Sequence, residues 1–206
     1  MKITRLVGLY ESNVYILEKG DECLIVDAGV KVENIKKVIQ NKKVVGILLT
    51  HGHFDHCFYA NDYARIFNCK IFAHKNAKLT MSDPIAFCGD NEQIVTDFSN
   101  FEFFKKEKIL KLGNFNVQIF ILPGHCHCQC GYLIENDLFC GDFLFEKSFG
   151  RIDLKFSSKK DMISSLKRSK EICYNTLYSG HGISSDKATQ LAHLDLFLKF
   201  LNRNHV

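Results

Sequence analysis

Residues 50–56 read THGHFDH, directly after the apolar run VVGILL at residues 44–49. The apolar run predicts a buried strand. Four side chains of the following stretch can bind a metal ion: His51, His53, Asp55 and His56. Helix positions two apart do not share a face, so we expect a loop that turns all four side chains toward one point. Imidazole suits zinc and iron, and a carboxylate adds compensating negative charge.

Three more potential ligands occupy the same kind of position further along the chain. His125 follows Pro-Gly, Asp142 follows Cys-Gly, and His181 lies between two glycines. Each comes just after a predicted apolar strand, and the glycine lets the backbone approach a site closely. Any one of them alone is more typical of a loop or capping residue. Together with residues 50–56 they provide five histidines and two aspartates, enough for two metal ions with an open position between them.

The rest of the chain predicts strands mixed with helices. Short apolar runs indicate strands in both halves, and helical spacing follows Val32 and recurs in the leucines after residue 190. Ser158 and Asp161 form a potential capping box for a helix reaching about residue 173. Another helix is expected at about residues 57–67, whereas residues 75–105 show no clear hydrophobic periodicity and are not assigned to an element. No repeat or linker interrupts the sequence, which predicts a single α/β domain over residues 1–206.

Composition narrows the function classes. The 206 residues are 46% hydrophobic and 24% charged, with a formal net charge of +4. No basic cluster interleaved with aromatics occurs, so we expect no nucleic acid partner. No sufficiently long apolar run occurs, so we expect no membrane span. The chain has 9 cysteines and no apolar secretory leader, which predicts free thiols in a reducing cytoplasm.

The ordered set THxHxDH, PGH, GD and GHG resembles the metallo-β-lactamase superfamily. The resemblance implies a four-layer αββα sandwich with the site at one edge. It also implies two divalent metal ions, zinc in the first instance with iron or manganese as alternatives. The implied ligands form two groups that share one bridging carboxylate: His51, His53 and His125; Asp55, His56 and His181; and the bridging Asp142.

Such a centre lowers the pKa of a bridging water, and the resulting hydroxide can hydrolyse a thioester, lactone, lactam or phosphodiester. We assign Asp55 a catalytic role in orienting that hydroxide or accepting its proton. The segment GDFLF at residues 141–145 and FGRID at residues 149–153 resembles small glyoxalase II-like hydrolases, although the helical C-terminal extension typical of glyoxalase II is missing. The resemblance implies hydrolysis of a small-molecule substrate, a thioester such as S-D-lactoylglutathione, with Arg151 binding a glutathione carboxylate. The alternative interpretation of Arg151 is a structural pair with Asp153.

Two other functions remain open at the level of sequence. The same segment resembles persulfide dioxygenases, in which His51, His125 and Asp142 would hold a single Fe(II). The other alternative is a non-catalytic metal-binding module, against which the number of potential ligands weighs. A β-lactamase is disfavoured because those enzymes work outside the cytoplasm. Four cysteines near the predicted site are interpreted mainly as packing residues, with a thiolate near the metal as the alternative: Cys57, Cys126, Cys128 and Cys130.

Overall fold

The first half of the chain forms a six-stranded mixed sheet. The structure is a computed structural model, and it describes residues 1–87 and 94–203. The strands lie in chain order, antiparallel from β1 to β3 and parallel from β3 to β6. Their bounds are β1 Lys2–Val7, β2 Asn13–Lys19, β3 Glu22–Val26, β4 Lys43–Leu48, β5 Ile71–His74 and β6 Phe101–Phe104.

The second half forms another six-stranded mixed sheet, in the order β12-β11-β10-β9-β8-β7. Strands β7 to β10 are antiparallel neighbours, β11 runs parallel to β10, and β12 pairs antiparallel with β11. Their bounds are β7 Ile109–Leu112, β8 Phe115–Ile121, β9 Cys130–Ile134, β10 Asp137–Gly141, β11 Thr176–Ser179 and β12 Ser185–Asp186.

Helices cover the outer face of each sheet. Five lie with the first sheet: α1 Val32–Ile39, α2 Phe54–Cys57, α3 Ala60–Phe67, α4 Ala77–Met81 and α5 Pro84–Phe87. Two lie with the second: α6 Lys159–Ser169 and α7 Lys187–Arg203. The predicted cap of α6 is present, because the Ser158 side chain accepts a hydrogen bond from the Asp161 N–H at 3.2 Å. The helix after residue 50 begins at Phe54 rather than near residue 57, and it is split into α2 and α3.

Three apolar clusters hold the layers together. In β2, Val14 and Ile16 face the helices, whereas Tyr15 and Leu17 face the other sheet. This alternation with both faces buried explains the near-continuous apolar composition of the central strands. A third cluster joins the second sheet to Met162 of α6 and to the apolar side of α7. The αββα sandwich expected from the sequence is therefore confirmed.

The two sheets share one core, since side chains of β2 and β3 pack against those of β8 and β9 in a single cluster. This shared core supports our proposal that residues 1–206 form one domain. Within residues 1–87 and 94–203, no helix is both long enough and apolar enough to cross a membrane.

Candidate metal centre

The predicted ligands gather where strands of both sheets end. The stretch from His51 to His56 follows β4 and enters α2. His125 lies after β8, Asp142 directly after β10, and His181 two residues after β11. All seven side chains predicted as ligands therefore meet at one edge of the sandwich, where the carboxyl ends of parallel strands commonly build sites.

His51, His53 and His125 form the first group. Their potential ligand atoms all lie within 4.8 Å of one another. His125 Nε2 and His53 Nδ1 are 2.9 Å apart, and the His51 ring lies 4.6 Å from the His53 ring and 5.1 Å from the His125 ring. All three side chains are buried.

Asp55, His56 and His181 form the second group, and Asp142 joins it to the first. His56 Nε2 lies 3.3 Å from His181 Nε2, and Asp55 Oδ2 lies 3.1 Å from His181 Nε2. Asp142 Oδ1 lies 3.3 Å from His56 Nε2, while its Oδ2 lies 3.6 Å from His125 Nε2. One carboxylate thus contacts both groups, in the position expected of a bridging ligand.

Hydrogen bonds on the far side of the rings determine which nitrogens face the cluster. His56 Nδ1 donates to Asp27 Oδ2 at 2.9 Å, since a carboxylate oxygen only accepts. The Thr50 hydroxyl donates to Asp27 and therefore accepts from His51 Nδ1 at 3.0 Å. His125 Nδ1 donates to the Arg151 carbonyl oxygen at 3.0 Å. In all three residues Nε2 consequently points into the cluster, and it carries the lone pair when the ring is neutral.

Two glycines permit this close approach. A Cβ on Gly180 would lie 2.0 Å from Asp142 Oδ1 and 2.8 Å from His56 Cε1. Gly141 has a φ of +52°, and a Cβ there would lie 2.3 Å from Thr50 Oγ1. A larger residue at either position would displace the site, which explains the glycine next to each of these predicted ligands.

Charge is distributed unevenly over the histidines of the metal-free protein. Burial, assisted by the neighbouring imidazoles, lowers the pKa of His51 well below its usual value. Burial also opposes the charged form of His56, but the carboxylates of Asp55 and Asp142 outweigh it and raise the His56 pKa well above its usual value. Burial likewise opposes a charged His181, and hydrogen bonds to the same two carboxylates raise its pKa to about 9.

Both carboxylates are ionised despite their burial. Burial acts to raise the pKa of Asp142, but the His56 imidazolium and the His181 hydrogen bond lower it well below its usual value. The same partners lower the pKa of Asp55 against the effect of burial. In the metal-free protein, protons on His56 and His181 therefore balance two buried negative charges.

The donor set suits divalent metal ions. Ligand nitrogens around one tetrahedral zinc lie about 3.3–3.4 Å apart, close to the 3.3 Å between the Nε2 atoms of His56 and His181. The buried Nε2 of His51 has no hydrogen-bond partner, and a buried polar atom without a partner costs free energy. A cation within the cluster would satisfy that atom and separate the facing nitrogens of His53 and His125. The residues present therefore fit the metal ions that the sequence resemblance implies.

Arg151 lies at the rim of the cluster, and two of its groups have identified partners. Its guanidinium donates to both carboxylate oxygens of Asp153, at 2.7 and 2.8 Å, and both side chains are exposed. Its carbonyl oxygen accepts the His125 Nδ1 proton. The predicted pair with Asp153 is thus present, and substrate binding by Arg151 stays a prediction.

The four cysteines predicted near the site are all buried behind it. Cys57 Sγ donates to the His53 carbonyl oxygen at 3.1 Å, and Cys130 Sγ donates to the Cys128 carbonyl oxygen at 3.5 Å. Cys126 and Cys128 belong to the apolar cluster beneath the first sheet. These contacts agree with a packing role. The Cys126 thiol also hydrogen-bonds to the His53 side chain, so this sulfur borders the first histidine group.

Sequence reasoning missed the residues that orient the ligands. Asp27 was not among the predicted site residues, yet it is buried and binds both His56 and Thr50. Asn13 donates from Nδ2 to the carbonyl oxygens of Ser179 and Gly182, which holds the loop that carries His181. The sequence feature that could have indicated Asp27 is its position, as an acidic residue directly after an apolar strand. Asn13 lies within a strand and has no local signature.

Comparison with known proteins agrees with the fold and the site. The profile of the metallo-beta-lactamase superfamily matches residues 7–181, and the chain belongs to that superfamily. A probable metallo-hydrolase of Bacillus subtilis (strain 168), YqgX, is 30% identical over 199 residues, covering 92% of this chain and 94% of that protein.

Two further similarities concern proteins with named activities. A hydroxyacylglutathione hydrolase of Buchnera aphidicola subsp. Schizaphis graminum is 30% identical over 155 residues, which cover 74% of this chain and 55% of that longer protein. The crystal structure of the B3 metallo-beta-lactamase BLEG-1 superposes with a TM-score of 0.85 at 26% identity, covering 95% of this chain and 99% of that one.

Proposed function

We propose that the chain is a hydrolase whose site holds two divalent metal ions, zinc in the first instance. The observation that carries this proposal is the convergence of two ligand groups on one carboxylate, Asp142. Its Oδ1 lies 3.3 Å from His56 of the second group, and its Oδ2 lies 3.6 Å from His125 of the first group and 3.5 Å from His181 of the second. His51, His53 and His125 would hold one ion, and Asp55, His56 and His181 the other. A structural zinc site closes with four protein ligands, so seven potential ligands favour a centre that keeps open positions for catalysis.

The ions would supply Lewis acidity and would lower the pKa of water at the site. The chain's own residues prepare this chemistry. Asp27 and Thr50 hold protons on Nδ1 of His56 and His51, so that both Nε2 atoms remain available. Asp55 stays ionised beside His181. Its side chain is partly exposed, so its Oδ2 could accept a hydrogen bond from an attacking water and orient it.

For the substrate we propose a small thioester such as S-D-lactoylglutathione. Support comes from the Buchnera hydroxyacylglutathione hydrolase and from the glyoxalase II-like segment at residues 141–153. The Arg151 carbonyl oxygen bonds to the ligand candidate His125, and its exposed guanidinium could exchange Asp153 for a substrate carboxylate. We also propose a cytoplasmic location, supported by the free thiols of all eight cysteines in the described part of the chain.

The test combines elemental analysis with an activity assay. Protein purified without added metal is expected to contain about two divalent ions per chain and to hydrolyse S-D-lactoylglutathione. The variant His181→Ala is expected to lose about one ion per chain together with most turnover. His193→Ala is the matched control, because His193 lies in α7 and bonds to the Thr189 carbonyl oxygen, away from the cluster.

Three outcomes would contradict parts of this proposal. About one iron per chain, with oxygen consumption on glutathione persulfide and no hydrolysis, would indicate the dioxygenase instead. About two ions with no thioester turnover would reject the substrate and keep the hydrolase class. Faster hydrolysis of a chromogenic β-lactam than of the thioester would instead indicate that this chain is a β-lactamase, as BLEG-1 is.

A further inference from the structure

A pair of cysteines adjoins the metal centre without contributing to either ligand group. Cys126 and Cys128 flank His127, and Cys126 directly follows His125. Both side chains are buried, and their sulfur atoms lie 3.1 Å apart. The Gln129 N–H donates to the Cys126 carbonyl oxygen at 3.1 Å and closes a tight turn. The two thiols therefore point toward each other within a single turn of the backbone.

Contacts of the intervening residue maintain this turn. His127 Nε2 lies 3.1 Å from the Asn76 carbonyl oxygen, and the Asn76 side chain donates to the His127 carbonyl oxygen at 3.4 Å. The His127 ring stacks on Phe156 with a centroid distance of 4.4 Å and an interplanar angle of 13°. His127 Nε2 also lies 3.0 Å from the Thr80 hydroxyl. These contacts fix the residue between the two cysteines, whose own side chains are buried.

A metal site made of these three residues is disfavoured by the hydrogen bonding. Cys126, His127 and Cys128 lie close enough together to be considered as ligands. However, a carbonyl oxygen only accepts, so His127 Nε2 carries a proton that it donates to Asn76. That nitrogen offers no lone pair to an ion. The Thr80 hydroxyl contacts the two sulfurs, at 3.5 and 3.6 Å, which leaves a dithiol beside a hydroxyl group.

We propose that Cys126 and Cys128 form a reversible disulfide when a hydroperoxide oxidises them. One sulfur attacks the peroxide, the O–O bond breaks, and a sulfenic acid forms while the remaining oxygen leaves as water or an alcohol. The second sulfur then attacks the sulfenic sulfur, the S–O bond breaks, and water leaves with the second thiol's proton. The two cysteines lose two electrons, which the peroxide accepts.

Formation of the bond would alter the neighbouring ligand. A disulfide has an S–S distance of about 2.05 Å, so the sulfurs must approach each other from 3.1 Å. His125 is bonded directly to Cys126 and is held at its other side by the Arg151 carbonyl oxygen. A movement of the turn would therefore shift the His125 ring relative to His53. We expect the oxidised protein to bind metal more weakly than the reduced protein.

Mass spectrometry tests the disulfide without reference to any enzymatic activity. Reduced, metal-free protein is treated with hydrogen peroxide, remaining thiols are blocked with one alkylating reagent, and the protein is then reduced and labelled with a second. Trypsin releases residues 112–147, which contain four cysteines: Cys126, Cys128, Cys130 and Cys140. We expect a loss of about 2 Da before reduction and the second label on Cys126 and Cys128 together.

Matched variants complete the experiment. Cys130→Ser keeps the pair and removes a neighbouring buried thiol, so it should oxidise like the unmodified protein. Cys128→Ser should show no loss of about 2 Da and no second label on this peptide. The proposal is overturned if the peroxide-treated protein carries the first label on Cys126 and Cys128, or pairs either with Cys130. If Cys128→Ser fails to fold, the label distribution in the unmodified protein still decides.

A second measurement addresses the metal ligand. Oxidised and reduced protein are passed through gel filtration in a buffer that contains a chelator, and their metal contents are measured. We expect the metal content of the oxidised protein to be at least about tenfold lower than that of the reduced protein. Treatment with dithiothreitol should restore it, and peroxide-treated Cys128→Ser should retain its metal. Equal retention by the oxidised and reduced forms would overturn the effect on His125. Neither readout depends on the identity of the substrate, so the proposed function can fail separately.

Discussion

Replacement of Asp27 by asparagine tests how the structure prepares its ligands. Asp27 is only 2% exposed, and both of its oxygens accept hydrogen bonds. Oδ1 accepts the Thr50 N–H at 2.8 Å, and Oδ2 accepts from the Thr50 hydroxyl at 2.8 Å and from His56 Nδ1 at 2.9 Å. Asn has the same shape, but one oxygen becomes an NH₂ group that can only donate.

The expected loss follows from that single change of donor and acceptor. If the amide oxygen stays with the Thr50 N–H, the NH₂ group faces His56 Nδ1. His56 then has two options. It can move its proton to Nε2, which removes the lone pair that would bind the metal, or it can keep the proton on Nδ1, where this N–H donor faces the NH₂ donor of the new side chain. A buried donor left without a partner costs about 1–3 kcal/mol. Metal affinity at the group containing His56 should therefore fall about 10–100-fold, the usual range for residues that orient metal ligands.

The assay is a competition titration of zinc between the protein and a chromophoric chelator. Asp62→Asn is the matched control, because it makes the same chemical change in an exposed pair with Arg65. We expect Asp62→Asn to bind zinc like the unmodified protein. If Asp27→Asn also bound zinc with unchanged affinity at both positions, the proposed orientation of His56 by Asp27 would be wrong.

Three further predictions concern the backbone, the pH dependence and the helices. Gly180→Ala places a Cβ against Asp142 Oδ1, so kcat/KM should fall at least about tenfold with loss of metal, as measured by steady-state kinetics and elemental analysis. In the metal-free protein the pKa of His181 is raised to about 9, against the effect of burial, by Asp142 and Asp55. A raised pKa stabilises the fold fully below the unfolded value near 6.5 and progressively less toward pH 9. Urea unfolding should therefore show stability falling from pH 6.5 to 9, with a smaller slope in His181→Gln. Ser158→Ala removes the α6 cap and should lower the free energy of unfolding by about 1 kcal/mol, with metal content unchanged.

The α/β class and the positions of the potential ligands were accessible from sequence because both depend on local patterns. The four-layer sandwich and the division of the ligands into two groups were implied by the family resemblance. Strands β2, β3 and β4 are short apolar runs, and such runs retain their conformation in the sandwich. Each predicted ligand lies within four residues of a strand end or in the stretch after β4. Strand ends that share an edge bring their loops together, so the recurrence of these residues after strands indicated one site and the family resemblance supplied its arrangement. Metal binding by these residues stays a prediction.

Other features depend on contacts between distant residues and lack a local signal. Asp27 orients His56 across 29 positions, and nothing in its own surroundings indicates that partner. The aromatic run ending at Phe104 was not assigned to any element, yet residues 101–104 form the edge strand β6 through pairing with β5. The split between α2 and α3 also has no pattern in the sequence. There the backbone of Ala28 bonds to His56 and Tyr59, so a tertiary contact determines where each helix ends.

The division of the ligands between the two sheets has a mechanical consequence. The four ligands after β4 belong to the chain's first half, and the other three belong to loops of the second half. Any ion bound by both sets would act as a cross-link between the halves, so its binding free energy would oppose their separation. Removal of the metal by a chelator would then weaken the association between the two halves of the chain. If the connection between β6 and β7 were cut, the two fragments should associate more tightly with metal than without it.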